Sequence, residues 1–167
     1  AAAGQMQYVD IDTLIVIYTH YYKDSSTRMD LSAADIETLK AGVEKSKKFF
    51  WRSSKLKHHV RTDYLVIDRT LTLADMWQVW SGLYWLNYPP VQTDPRSAGV
   101  PDNKYSVVLV LYAFKNSTGA GAAYGGATYG VNTILGKAAY ISCPLAWGLN
   151  CYDVVTHEYL HALDSIF

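Results

Sequence analysis

The sequence predicts an α/β domain of three or four mainly parallel strands with helices packed against the sheet. Three observations carry that prediction. Val9–Thr19 (VDIDTLIVIYT) and Tyr105–Phe114 (YSVVLVLYAF) are dense β-branched and aromatic runs of strand length. A long amphipathic helix separates the first of them from a further strand at Tyr64–Asp68 (YLVID). A crossover of that length implies parallel pairing with a right-handed connection. At 167 residues, half of them apolar, the chain can bury one substantial core. With no internal repeat and no linker, residues 1–167 form a single domain.

Val9, Ile11 and Thr13 alternate into the first strand, and His20 to Asp30 is a polar loop. Ser32-Ala33-Ala34-Asp35 is a capping box in its acidic form, opening a helix over Ala33–Arg52 with a stripe at Ile36, Leu39, Val43 and Phe50. Thr72-Leu73-Ala74-Asp75 repeats the capping logic. It opens a second helix, Leu73–Leu86, rich in Met76, Trp77, Trp80 and Trp85 and stopped by Asn87-Tyr88-Pro89-Pro90. This helix packs over the sheet or lines a cleft. Pro89 to Lys104 is a long surface loop. Gly119 to Gly136 holds six glycines without any G-K-[ST] or G-x-G-x-x-G, so it serves tight turns and not phosphate. Ala138–Cys143 is a short strand, Pro144 and Gly148 turn the chain, and Asn150-x-x-Asp153 caps the last helix.

The 15 acidic and 15 basic residues balance, and no apolar run approaches membrane-spanning length. Between Lys40 and Arg61 stand eight Lys or Arg against one Glu. On a chain of zero net charge this is the solvated face of the first helix, not a nucleic-acid surface. His58-His59 is a surface or turn pair. The start at Ala1-Ala2-Ala3-Gly4 suggests removal of a secretory leader or a cloning scar. Cys143 and Cys151 either close a small disulfide loop in an oxidising compartment or stay reduced and buried. A secreted chain with that disulfide is the expectation.

The last helix carries Thr156-His157-Glu158-Tyr159-Leu160-His161. Residues four apart share a helix face, so His157 and His161 can aim ring nitrogens at one point. Two imidazoles with an adjoining carboxylate are the parts needed to bind Zn²⁺ and hydrolyse an amide. His157 and His161 are the predicted metal ligands, and Glu158 is the predicted general base for a zinc-bound water. Asp164 returns near the same face but lies about 10 Å along the axis from His157, at roughly 1.5 Å per residue. It is expected as a helix-end or outer hydrogen-bond acceptor, with a ligand imidazole as one candidate partner. His20 is an outside candidate for a third ligand, with plain surface as its ordinary role. A closed structural site would want four ligands. A carbohydrate or nucleic-acid enzyme would want paired carboxylates or a basic aromatic groove.

His157-Glu158-Tyr159-Leu160-His161 resembles the signature of the zincin metallopeptidases, and the element order resembles their N-terminal subdomain. The resemblance implies a backing helix, a mostly parallel twisted sheet, an antiparallel edge strand bordering the cleft and a C-terminal active-site helix. It implies a zinc endopeptidase whose protein or peptide substrate lies extended along an edge strand at Ala138–Cys143, with the glycine-rich segment as upper rim. The alternative is a proteolytically inactive fragment or a zinc-binding interaction domain. Asp164 stands where the metzincin pattern has glycine, and its third ligand would fall at Phe167, which cannot ligate. Other zincins draw that ligand from a later element. The expectation is therefore an N-terminal subdomain whose C-terminal part lies in a missing segment or another chain.

Overall fold

A computed structural model describes residues 8–22, 28–113, 121–122, 127–145 and 149–167. Strand β1 (Val9–Tyr22) is followed by β2 (Arg28–Asp30), α1 (Ala33–Ser53) and β3 (His58–Thr70). A 3-10 turn at Leu73–Asp75 leads into β4 (Met76–Trp80), β5 (Leu83–Leu86) and α2 (Tyr88–Ser97). Then come β6 (Val107–Tyr112), β7 (Gly121–Ala122), β8 (Ala127–Ile134), β9 (Ala138–Pro144) and α3 (Tyr152–Ile166). Phe114, the middle of the loop expected after His20, Gly119, Gly125, Gly126 and Gly148 lie outside the described residues.

The main sheet is mixed and mostly parallel. β1 pairs in parallel with β3 on one side and β6 on the other, and β6 pairs in parallel with β9. β8 closes this path as an antiparallel strand on β9, while β2 adds a short antiparallel pairing at the end of β1. Both faces of the sheet are covered, which is why its inner strands are apolar throughout. The period-two alternation sorts their side chains. Ile11, Ile15, Ile17, Val107, Leu109, Leu111, Ala139 and Ile141 face α1 and α3. Leu14, Val16, Tyr18, Val108, Val110, Tyr112 and Tyr140 face the opposite layer, which is built from the β4–β5 region and α2.

The first helix forms as its sequence dictates. Ser32 is the N-cap, and Ser32 with Asp35 completes the capping box from both sides. Leu39, Val43, Ser46 and Phe50 are its buried stripe. Lys40 pairs with Glu37, Lys47 with Glu44, and Arg61 with Asp12, so much of the positive stretch is matched locally.

Several expectations are corrected. The expected helix at Leu73–Leu86 is a β-hairpin: Met76 pairs with Leu86 and Trp77 with Trp85, around a Ser81-Gly82 turn in which Gly82 has φ 73°. The Thr72–Asp75 capping box is real but closes only one 3-10 turn. Aromatic and β-branched residues then favour strands, and glycine supplies the left-handed turn. Asn87-Tyr88-Pro89-Pro90 starts a helix where a stop was expected. Asn87 is its N-cap and the prolines occupy the first turn, where no amide is needed. Residues 89–97 of the expected loop therefore belong to α2 (Tyr88–Ser97). Part of the loop expected at His20–Asp30 is strand, in β1 and β2. β3 begins at His58, earlier than expected. Ala138–Cys143 is not an edge: β9 is paired on both sides, and the antiparallel edge strand is β8, inside the glycine-rich segment. The N-cap of α3 is Cys151, not Asn150.

The expected disulfide is absent. Cys143 and Cys151 are both free and buried. Cys143 points into the core from β9, whereas the Cys151 thiol lies 3.5 Å from the Leu39 carbonyl, against α1. A Cβ added at Gly42 would come within 2.7 Å of that sulfur, so the thiol fills the space glycine leaves. Burial pushes the Cys151 thiol up to about 11 and the Cys143 thiol well above its ordinary range.

Thiol titration is expected to find two free thiols, both slow to react with alkylating reagents in the native protein and fast in denaturant. A native mass two protons short, or one rapidly labelled cysteine, would contradict this arrangement.

Candidate metal centre

Helix α3 presents its motif because its other face is buried. Val155, Tyr159, Ala162 and Leu163 pack into the core shared with α1 and the sheet. The 3.6-residue repeat then turns His157 and His161 outward, and both are exposed. Three contacts fix the helix in rotation. The Tyr159 hydroxyl meets Thr13 Oγ1 of β1 at 2.5 Å, in the interior. The Tyr159 ring packs on Phe50 of α1 with ring centroids 5.0 Å apart. Thr156 Oγ1 lies 3.0 Å from Ser46 Oγ, also on α1. Burial raises the Tyr159 phenol well above its ordinary range, so it stays neutral and keeps its proton for this bond.

The two histidines converge. His157 Nε2 and His161 Nε2 are 3.3 Å apart, with the rings inclined at 79°. Two nitrogens each about 2.0–2.1 Å from a tetrahedral zinc stand about 3.3–3.4 Å from one another. The pair therefore has the bite of two zinc ligands. A direct N–H···N bond between neutral rings spans the same distance, and zinc would displace the single proton it uses.

Glu158 is buried against the sheet edge, with 6% of its surface exposed. Thr128 of β8 holds it: the hydroxyl is 2.9 Å from the Glu158 carbonyl oxygen and 3.1 Å from Oε2. Oε1 accepts no hydrogen bond among the described residues. Burial first, and the Glu158 carboxylate second, push the Cys143 thiol well above its ordinary range.

The chain matches no family model, and no curated protein or solved structure is significantly similar to it. The site therefore stands on its own geometry.

Of the three predicted site residues, the structure brings the His157 and His161 rings together, while the Glu158 side chain bonds to Thr128. The structure does not add the others. No group of three or more His, Cys, Asp or Glu side chains among the described residues could hold a metal ion. Asp164 is exposed and bonds to no described side chain, so it does not orient an imidazole. His20 is engaged elsewhere, with Nδ1 2.6 Å from Asp30 and Nε2 against Asp68. His59 pairs with Asp10, and His58 stacks on Phe167. Thr128 is the functional residue the sequence reading missed. Its signal was the β-branched content of Ala127–Ile134, masked by the surrounding glycines.

Replacing Thr128 by valine removes the hydroxyl and leaves the buried Glu158 Oε2 without its described donor, at a cost of about 1–3 kcal/mol. Urea denaturation checks it. A loss below roughly 0.5 kcal/mol, the range of an ordinary surface change, would mean that Thr128 does not support Glu158.

Proposed function

We propose that this chain carries the catalytic half-site of a zinc-dependent endopeptidase of the zincin type. The carrying observation is the 3.3 Å approach of the His157 and His161 Nε2 atoms beside a buried, one-sided carboxylate. The element order supports the same reading: backing helix α1, a mostly parallel sheet, antiparallel edge strand β8, then α3.

His157 and His161 would hold the metal through Nε2. Bound there, zinc supplies Lewis acidity, which makes a water easier to deprotonate at neutral pH and steadies negative charge on a carbonyl oxygen. Glu158 takes the proton from the attacking water at Oε1, which meets no donor among the described residues, and returns it to the leaving amine. Thr128 keeps Oε2 fixed while this happens. The outer edge of β8 pairs with no described strand, so its backbone groups can align an extended peptide beside the two rings. This moves the expected substrate strand from Ala138–Cys143 to β8.

A second reading has one observation in its favour. With two imidazoles and no three-residue cluster among the described residues, the chain would bind zinc without turning over substrate.

Zinc titration followed by assay on casein-type unfolded substrates separates the two. Glu158→Gln is expected to retain zinc and lose about 10²–10⁴-fold in rate. His157→Ala and His161→Ala are each expected to weaken zinc binding by more than about tenfold and to lose hydrolysis with it. Zinc retained by a protein as inert as Glu158→Gln would establish the binding-only reading. No zinc bound at all would end both.

A further inference from the structure

Successive residues of a strand face opposite sides, and β8 uses both. Thr128 turns toward Glu158, whereas its neighbour Tyr129 turns to the other face of the sheet. There Tyr129 stacks on Tyr140, with ring centroids 5.2 Å apart, and meets Trp77 of the β4–β5 hairpin at 6.2 Å. From Trp77 the rings continue through Trp85 (6.4 Å) to Trp80, which lies 6.0 Å from Trp85. This aromatic run starts on the edge strand of the candidate site and ends in solvent: Trp77 is 48% and Trp80 59% exposed. The segment Met76–Tyr88 that carries it contains no charged residue. The Trp85 Nε1 donor is buried without an acceptor among the described residues.

The hairpin is held for this position from below. The Tyr112 hydroxyl accepts from the Leu86 amide at 2.8 Å, and the Tyr140 hydroxyl donates to the Leu86 carbonyl at 2.9 Å. The amide and the carbonyl of Leu86 in β5 are thereby both fixed to the inner strands, while the Trp77 and Trp80 rings stay exposed.

We propose that Trp77, Trp80 and Trp85 form an aromatic subsite for alternate side chains of an extended peptide bound along β8. The inference rests on the peptidase reading for the location of the peptide. A chain added to β8 sends every second side chain toward α3 and the intervening ones toward the hairpin face. Uncharged indole surface there selects large apolar or aromatic side chains and rejects charged ones. The preferred substrate is therefore an extended segment with bulky apolar residues at alternate positions. Continuity of the rings with the strand that holds Glu158 favours a peptide over a lipid surface as occupant.

The test is a binding measurement, independent of turnover, on Glu158→Gln protein. Two short fluorescein-labelled peptides are compared by anisotropy, one alternating threonine and tryptophan, the other threonine and alanine. The first is expected to bind at least about tenfold more tightly, and Trp80→Ala and Trp77→Ala should each remove most of that difference. Thermal melting of both variants, whose replaced rings are half exposed, verifies that the fold survives. Equal affinity for the two peptides would overturn the proposal. So would a preference that survives both substitutions in folded protein, or tryptophan variants that lose only binding to phosphatidylcholine vesicles. A preference that is intact in protein that never cleaves peptides supports this subsite and counts against the peptidase reading alone.

Discussion

Burial of Tyr159 beneath the sheet is the contact on which the candidate centre depends. The ring is wedged against Phe50 and its hydroxyl is bonded to Thr13 on the inner strand β1. With that side chain fixed, the helical repeat leaves no choice about the others. Val155, Ala162 and Leu163 turn inward, His157 and His161 turn outward one above the other, and Glu158 falls at the boundary. A rotation of α3 by a single residue position would bury an imidazole or expose the tyrosine. The apolar packing of the helix and the polar geometry of its outer face are thus one constraint.

The sheet edge supplies the second half of the arrangement. β8 runs antiparallel to β9, and its alternation divides its side chains between two layers. Thr128 serves the helix layer by holding one oxygen of Glu158, while Tyr129 serves the opposite layer by joining the stacked tyrosines and the hairpin. The opposite layer has its own anchor. Arg69 reaches both Asp75 and Asp94, and Tyr18 donates to Asp94 at 2.7 Å, tying β1, β3, the 3-10 turn and α2 together. In this way a single edge strand links the carboxylate of the motif to an aromatic surface on the far side of the sheet.

How much of this was legible in the sequence depends on whether the signal was local. Capping of α1 by Ser32 and Asp35, the β1 and β6 runs and the H-E-x-x-H spacing are written in neighbouring residues, and the structure has them all. The hairpin at Met76–Leu86 was misread because uninterrupted aromatics fit helix and strand alike, and the Thr72 capping box pointed to a helix that extends only one turn. The proline pair after Asn87 was ambiguous for the same kind of reason, since proline disfavours the residue before it and favours the first turn after it. The edge strand was hidden by glycines. Strand order across the sheet, the pairing state of Cys143 and Cys151, and the bond from Thr128 to Glu158 are set by distant contacts that no local pattern records.

The two imidazoles held outward by the burial of Tyr159 are proposed to form a zinc-binding pair. Anomalous diffraction at the zinc edge, on crystals of protein loaded with one equivalent of zinc, tests it most directly. The expected result is one peak about 2.0–2.1 Å from both His157 Nε2 and His161 Nε2, with the remaining ligands revealed by the same map. A peak at His20, at His58-His59 or nowhere, with the two rings still joined by a direct N–H···N bond, would contradict it.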